Sequence, residues 1–229
     1  MDFIEVLGYK IRVKSARNFR NLALKMAPGK GVWVNIPYGC SRGQVVGFIE
    51  RNIDWIEKNK TKCEARAVES LYSVGDKIKT RFNSIELAEH SGASFEMRKS
   101  GNEIKLYAPS PVNRELLTKV AKRLVVEVMR SECMTLLPMR VKRIAERCGF
   151  KYGKLSFRNN SSNWGSCSGD NNISLNVKLM LARDEVIDYV IIHELCHTKV
   201  KNHSDEFWQL VKRFCPDYEV LRRELKSIK

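Results

Sequence analysis

The chain has 229 residues, of which 43% are hydrophobic and 29% charged, a composition typical of a globular protein. It contains no apolar run of membrane-spanning length, and its first residues lack the pattern of a signal peptide, so we expect a cytoplasmic protein with no membrane partner. The seven cysteines are scattered, without a CxxC pair, which argues against a disulfide framework or a cysteine-based zinc site.

The formal charge of +15 raises the question of a nucleic-acid partner. The excess is local, because residues 114–154 carry eleven Lys/Arg against four Asp/Glu, whereas residues 183–229 carry nine of each. Three interpretations of this basic region stay open: a phosphate-binding face, a docking surface for acidic substrates, or a solvated helix exterior.

The start of the chain alternates apolar and polar residues, which is the period of half-buried strands. The alternation predicts strands at residues 9–14, 22–26 and 32–36. Pro28-Gly29-Lys30-Gly31 is expected to form the hairpin turn between the second and third strands. Ser41 and Gln44 then form a capping box, which predicts one helix with apolar residues at helical spacing as far as residue 56.

Strand-like runs return at residues 78–87 and 104–107, and Ala108-Pro109-Ser110-Pro111 then interrupts regular structure. We therefore predict a β-rich N-terminal domain at residues 1–110, containing one helix, and a second domain at residues 111–229.

The second domain begins with a long helical pattern whose apolar stripe includes Leu117 and Val128. Pro138 is expected to kink or split this helix, and Gly149 to end it. Two strands are predicted further on, at residues 154–158 and 173–176, with a polar loop between them. The predicted fold class is α+β, with a mainly helical C-terminal domain that carries a small sheet.

Three of the four histidines lie in one stretch, His193-Glu194-Leu195-Cys196-His197-Thr198-Lys199-Val200-Lys201-Asn202-His203. The apolar run at residues 186–192 predicts a buried helix, on which His193 and His197 project from one face and can hold one ion. Glu194 then lies beside the ion, where its carboxylate can accept a proton from water.

A straight helix would carry His203 roughly 15 Å from His193, at ~1.5 Å per residue, so the chain must turn between them. Asn202 and Ser204 suit a turn and the cap of a following helix. His203 would then be the third ligand and water the fourth, which is the arrangement of a catalytic zinc ion.

Two alternatives concern this third ligand. The histidine spacing equals that of the metzincins, but Val200 occupies the position of their turn glycine and no Met follows His203 to form a Met-turn. A carboxylate from Asp217 or Glu219 remains the rival ligand.

Segments around this motif resemble the YgjP-like metallopeptidases, zinc-dependent hydrolases of the gluzincin-like type. These segments are Trp164-Gly165-Ser166-Cys167-Ser168, Asn172-Ile173-Ser174-Leu175-Asn176, Val186-Ile187-Asp188-Tyr189-Val190, and the stretch from His193 to Trp208. The resemblance is specific over residues 155–211 and loose elsewhere. It implies a zincin-like domain in which His193, His197 and His203 hold one zinc ion and Glu194 is the general base.

The resemblance also implies substrate-binding residues, since zincins pair an extended substrate with an edge strand beside the active-site helix. The candidates are Ile173, Ser174 and Leu175 for that strand, together with Trp164 and Arg158. Arg158 is included as a candidate because the family usually has an arginine at the position of Asn163, and Arg158 could substitute for it. Tyr189, one helical turn before His193, is a candidate oxyanion donor.

The predicted function is a zinc metallopeptidase that hydrolyses amide bonds of a peptide or protein substrate. One alternative is a cysteine hydrolase with Cys167 as nucleophile and His193 or His203 as base, which chelation would spare. Another is a nucleic-acid-binding protein with a structural metal site, or a DNA-associated protease. Such binding would weaken steeply with salt.

Overall fold

A computed structural model describes residues 3–27, 31–69 and 71–228 of the chain, and the turn expected at residues 28–30 lies outside them. Packing divides the chain into two compact units, Met1–Leu71 and Tyr72–Lys229. The domain boundary predicted from the sequence, between residues 110 and 111, stays a prediction. Among the described residues, every helix is too short or too polar to cross a bilayer.

Four strands form the sheet of the first unit. They are β1 (Phe3–Val6), β2 (Tyr9–Ala16), β3 (Ala23–Ala27) and β4 (Gly31–Pro37), in the order β1-β2-β4-β3. The alternation predicted for the last three strands is confirmed, and one face of the sheet buries residues such as Ile11 and Val34 against Val45 and Ile49. β1 is a fourth strand that the sequence analysis missed.

Two helices follow where the sequence predicted one: α1 (Arg42–Glu50) and α2 (Ile53–Glu69). The capping box of Ser41 is confirmed, because its side chain accepts from the Gln44 N–H and the Gln44 side chain accepts in return. Asn52 separates the helices. Its side chain donates to the Phe48 carbonyl at 2.8 Å and so competes for the backbone groups that would continue α1.

The second unit opens with a sheet in the order β5-β6-β8-β7. Its strands are β5 (Lys77–Lys79), β6 (Ser84–His90), β7 (Glu96–Ser100) and β8 (Glu103–Pro109). Ile85, Leu87 and Leu106 pack from this sheet against Leu117 and Ala121, so the sheet shares a core with the start of the long helix.

That helix, α3 (Arg114–Cys148), begins at Asn113, whose side chain accepts from the Leu116 N–H at 3.0 Å. It ends at Gly149, which adopts the left-handed conformation (φ 69°) as predicted. The helix is not split at Pro138. Proline has no N–H for the carbonyl four residues earlier, but Met134 is 63% exposed, so water can satisfy that group.

The remaining elements build the site. They are the strands β9 (Leu155–Arg158), β10 (Gly165–Cys167) and β11 (Ile173–Asn176), the 3₁₀ turn Val177–Leu181, and the helices α4 (Asp184–Cys196), α5 (Asp205–Phe214) and α6 (Tyr218–Ser227). β11 lies in the middle of its sheet, antiparallel to β10 and parallel to β9. β10 is a strand that the sequence analysis read as loop.

The start of α4 is fixed by ion pairs to other elements of this unit. Arg140 of α3 pairs with both Asp184 and Asp188, and Arg81 of the β5–β6 turn also pairs with Asp184. The Arg140 guanidinium lowers the pKa of Asp184, which keeps that carboxylate charged. These ion pairs hold α4 against α3. The side chains at the C-terminal end of α4 therefore have defined positions.

Candidate metal centre

The first two histidines lie at the C-terminal end of α4. This helix is apolar on nearly all sides, with Val186, Ile187 and Ile191 buried, because it packs between α3, α5 and α6. His193 lies in its last turn, and His197 is the residue at which the helix stops. Both imidazoles therefore leave the same end of a buried helix.

The third histidine returns to them after a turn. The Val200 N–H bonds back to the Cys196 carbonyl at 3.0 Å, and α5 starts at Asp205, so the chain reverses over a few residues. The His203 Nε2 atom lies 3.2 Å from the His193 Nε2 and 3.3 Å from the His197 Nε2. Three ring nitrogens thus converge on one point.

The spacing of these nitrogens fits a tetrahedral ion. Donors ~2.0–2.1 Å from a zinc ion at tetrahedral angles lie about 3.3 Å apart, close to both separations measured from His203. Among the described residues, His193, His197 and His203 form the one group of at least three His, Cys, Asp or Glu side chains close enough to share an ion. The rivals Asp217 and Glu219 are outside this group.

Surrounding groups orient the rings. The Nδ1 of His197 lies 3.0 Å from the Val200 carbonyl, which fixes the tautomer with Nδ1 as donor and leaves Nε2 free for an ion. The Phe207 ring stacks on His197 with centroids 4.3 Å apart and contacts the other two histidine rings at 4.9 Å. One buried aromatic ring therefore supports the whole triad.

His193 and His197 are held in their neutral, metal-binding form. Burial, followed by the neighbouring imidazoles, lowers the pKa of His193 to about 3. Burial also lowers the pKa of His197. Neutral imidazole is the form that binds metals, so protons compete weakly for this site near neutral pH.

Glu194 lies beside the triad, and its side chain is 5% exposed. Burial raises the pKa of Glu194 to about 8. Its carboxylate packs against Gly165 of β10, where a Cβ atom would lie 2.5 Å from Oε1. A cation in the triad would favour the ionised carboxylate, so Glu194 is placed to exchange protons next to the ion.

The site opens onto a cleft with a volume of about 480 Å³. Its lining residues include the three histidines, Glu194, residues 163–167 and several residues of α6. Trp164 and Tyr189, both singled out from the sequence, line it. Tyr189 is 3% exposed, and burial raises its pKa to about 12, so its hydroxyl stays protonated and can donate.

The structure corrects the choice of edge strand. Ile173, Ser174 and Leu175 belong to β11, whose backbone is hydrogen-bonded on both sides, by β10 and by β9. Their side chains are buried and do not line the cleft. Within the described sheet, β10 is the edge strand beside the cleft. The resemblance suggested β11, whose buried side chains reflect its central position in the sheet.

Arg158 was the candidate to replace the arginine that the family usually has at the position of Asn163. Arg158 does not line the cleft, so the structure does not support this replacement. Asn163 does line it, and its Nδ2 donates to the Gly165 carbonyl at 3.2 Å. Asn163 therefore shapes the turn into β10.

Cys167 lines the cleft, but its environment does not activate it. Burial raises the pKa of its thiol, and the nearby Lys201 only partly opposes this. A catalytic cysteine needs a lowered pKa, so the cysteine-hydrolase hypothesis has no support here.

Two contributions escaped the sequence analysis. Phe207 packs on the triad from the first turn of α5, and its position four residues after His203 was the available signal. Arg222 and Lys226 line the cleft from α6, and no motif in the sequence marks them.

The site combines the HExxH motif at the end of a buried helix, a third histidine that lies beside it, and an adjoining cleft. This combination is typical of metallopeptidases. The chain belongs to the family of YgjP-like metallopeptidase domains, whose family model matches residues 20–228. Peptidases of this family act on protein or peptide substrates.

Two solved structures are similar over part of the chain. They are the metallopeptidase zymogens abylysin of Pyrococcus abyssi and jannalysin of Methanocaldococcus jannaschii, each 22% identical. The first match covers 38% of this chain and 89% of abylysin with a TM-score of 0.36, and the second covers 37% and 92% with a TM-score of 0.32. Among curated proteins, none matches the chain.

Proposed function

We propose that the protein is a zinc-dependent metallopeptidase that hydrolyses amide bonds with His193, His197 and His203 as ligands and Glu194 as general base. The observation that carries this proposal is the convergence of three imidazole Nε2 atoms beside a buried carboxylate, at an open cleft. Three nitrogen donors suit zinc, and both separations measured from His203 match those of a tetrahedral site.

The open side of the triad favours a catalytic role. Structural zinc sites are closed by four protein ligands, whereas catalytic sites keep one position for water or substrate. Only three ligand side chains converge among the described residues, and the cleft adjoins them. A structural metal site in a nucleic-acid-binding protein is correspondingly less well supported.

His193, His197 and His203 would hold the zinc ion, which would supply Lewis acidity for the scissile carbonyl and for water. Glu194 then accepts the proton of the attacking water and delivers it to the leaving amine. Tyr189 donates from the wall of the cleft to the developing oxyanion. The burial of Glu194, which is 5% exposed, limits the access of bulk water to its carboxylate.

The edge of β10 is the place for an extended substrate. Gly165, Ser166 and Cys167 line the cleft and pair with β11 on one side, and within the described sheet no strand pairs with their other side, although the Gly165 carbonyl accepts from the Asn163 Nδ2. An added strand there would gain backbone hydrogen bonds with little sequence selectivity. Gly165 has no side chain, so the substrate backbone can lie close to Glu194.

The test compares zinc content and hydrolysis in three proteins. Wild type should bind one zinc ion and cleave a denatured protein such as casein, and chelation should abolish cleavage. Glu194→Gln should keep zinc and lose at least about 100-fold in rate, whereas His193→Ala should lose both. An undiminished rate in Glu194→Gln, or cleavage that survives chelation, would overturn the proposal.

A further inference from the structure

Arg222 is a candidate substrate-binding residue that lies outside the HExxH motif. It lines the cleft from α6, in company with Tyr189 and His193. Its guanidinium carbon lies 4.6 Å from the centroid of the Trp208 ring. Tyr218, one turn earlier on α6, stacks on the same ring, with centroids 5.3 Å apart and planes 20° from parallel. The guanidinium therefore rests on an aromatic platform that two helices build.

The same platform reaches the triad. The Trp208 ring centroid is 5.7 Å from that of His193 and 5.6 Å from that of His203. The Trp208 ring therefore lies between the positive charge of Arg222 and the proposed metal ligands.

No partner within the described residues occupies the N–H groups of Arg222. Three other arginines of this unit are engaged: Arg130 donates to the Phe157 carbonyl, Arg140 pairs with Asp184, and Arg183 pairs with Glu224. Arg222 is exposed and lines the cleft, with its guanidinium stacked on the Trp208 ring. A stacked guanidinium with free donors is arranged for a planar acceptor such as carboxylate.

The charge of the cleft favours the same ligand. Lys226, one turn beyond Arg222, and Lys201 also line it, and Glu194 is the one acidic residue among the lining side chains. Lys201 is already engaged, since its Nζ donates to the Ser168 carbonyl at 2.8 Å. Arg222 and Lys226 are therefore the cations available to substrate. A cation beside a divalent metal ion is repelled by it, and a bound anion offsets that repulsion.

We propose that Arg222 binds a carboxylate of the substrate, supported by Lys226, so that the enzyme prefers peptides with an acidic group close to the scissile bond. This inference rests on the proposed peptidase function. The carboxylate can come from an Asp or Glu side chain or from the C-terminus of the peptide, and these sources share the same recognition chemistry.

A digest of random decapeptides tests the preference and separates the two sources. One library has free C-termini and the other amidated C-termini, and mass spectrometry identifies the bonds cleaved by the zinc-loaded enzyme. Enrichment of Asp and Glu over Asn and Gln in both libraries indicates a side-chain carboxylate. Cleavage near free but not amidated ends indicates the terminal carboxylate.

Variants connect the preference to Arg222. Arg222→Gln should lower kcat/KM for the preferred peptides by about 10- to 100-fold relative to their amide counterparts, mostly through KM, so that the preference for the carboxylate is lost. Arg222→Lys should recover only part of this loss, because an ammonium cannot make the paired contact. Arg223→Gln is the matched control, since Arg223 is exposed but does not line the cleft. Equal cleavage of acidic and amide peptides, or an unchanged preference in Arg222→Gln, overturns the inference.

A binding measurement distinguishes failure of this inference from failure of the proposed function. Zinc-loaded Glu194→Gln is titrated with fluorescein-labelled decapeptide pools that contain either one Glu or one Gln, with free or amidated ends, and anisotropy reports binding. Tighter binding of a carboxylate pool, lost in the Glu194→Gln, Arg222→Gln double variant, supports the subsite even if wild type cleaves nothing. Equal binding of all pools overturns it.

Discussion

Gly165 of β10 and Glu194 of α4 are in direct contact, so close that a Cβ atom at residue 165 would lie 2.5 Å from the Glu194 Oε1. This contact joins the Trp-Gly-Ser-Cys-Ser segment to the HExxH motif. The glycine leaves space for the carboxylate to stay beside the triad. The three atoms in conflict, Oε1, Cγ and Cδ, all belong to the Glu194 side chain, so a substitution would displace the proposed base rather than the backbone.

Gly165→Ala is therefore expected to keep its fold and its zinc while hydrolysis falls by about 100-fold or more, because the proton acceptor leaves its position. Zinc analysis, circular dichroism and a peptide cleavage assay measure the three properties. Gly169→Ala is the matched control, since a Cβ there has no neighbour within 4 Å. A normal rate in Gly165→Ala would show that the position of Glu194 does not limit the reaction.

Glu194 should destabilise the metal-free protein at alkaline pH. Its folded-state pKa is raised from 4.5 to about 8, so the folded state holds a proton that the unfolded state releases above pH 4.5. Stability is therefore lost as pH rises from about 4.5 to about 8. Removing the ionisable group with Glu194→Gln should raise the metal-free stability at pH 8 by about 1 kcal/mol or more, with little gain at pH 4.5.

Urea unfolding of the chelator-treated proteins at the two pH values measures this difference. Asp205→Asn serves as a control, because Asp205 is exposed in the first turn of α5 and should show no comparable gain at pH 8. Equal stability of Glu194→Gln and wild type at pH 8 would contradict the role of burial.

His203→Ala should weaken zinc binding more than about 100-fold, because it removes one of three converging nitrogens. Asp217→Ala and Glu219→Ala should leave zinc binding unchanged, since neither carboxylate belongs to the converging group. Competition with a chromogenic zinc chelator gives the affinities. Stoichiometric, tight zinc in His203→Ala together with a loss in Glu219→Ala would assign the third ligand to the carboxylate.

Phe207→Leu should reduce both stability and zinc affinity. The leucine keeps much of the apolar volume but loses aromatic contacts to the histidine rings, each worth about 0.5–1.5 kcal/mol. Isothermal calorimetry with zinc and urea unfolding measure the two effects. Phe214→Leu is the comparison, because Phe214 lies on the same helix and packs on Phe150 rather than on the triad. It should cost stability alone, and equal zinc affinities in the two variants would contradict the role given to Phe207.

Local patterns predicted much of the fold. Alternation identified β2, β3 and β4, the capping box located the start of α1, and Gly149 ended α3. Patterns failed where long-range pairing decides. β10 has three residues with no apolar alternation, and it is a strand because β11 supplies its hydrogen-bond partners.

The sequence by itself determined the chemical groups of the site and the helix that carries two of them, since helical spacing and a buried apolar run are local properties. Only the tertiary structure decided that His203, rather than Asp217 or Glu219, converges with His193 and His197, that β10 rather than β11 borders the cleft, and that Arg222 lines it. The physical reason is that each of these relationships depends on how separate elements pack against α4, and residue spacing along the chain carries no information about that packing.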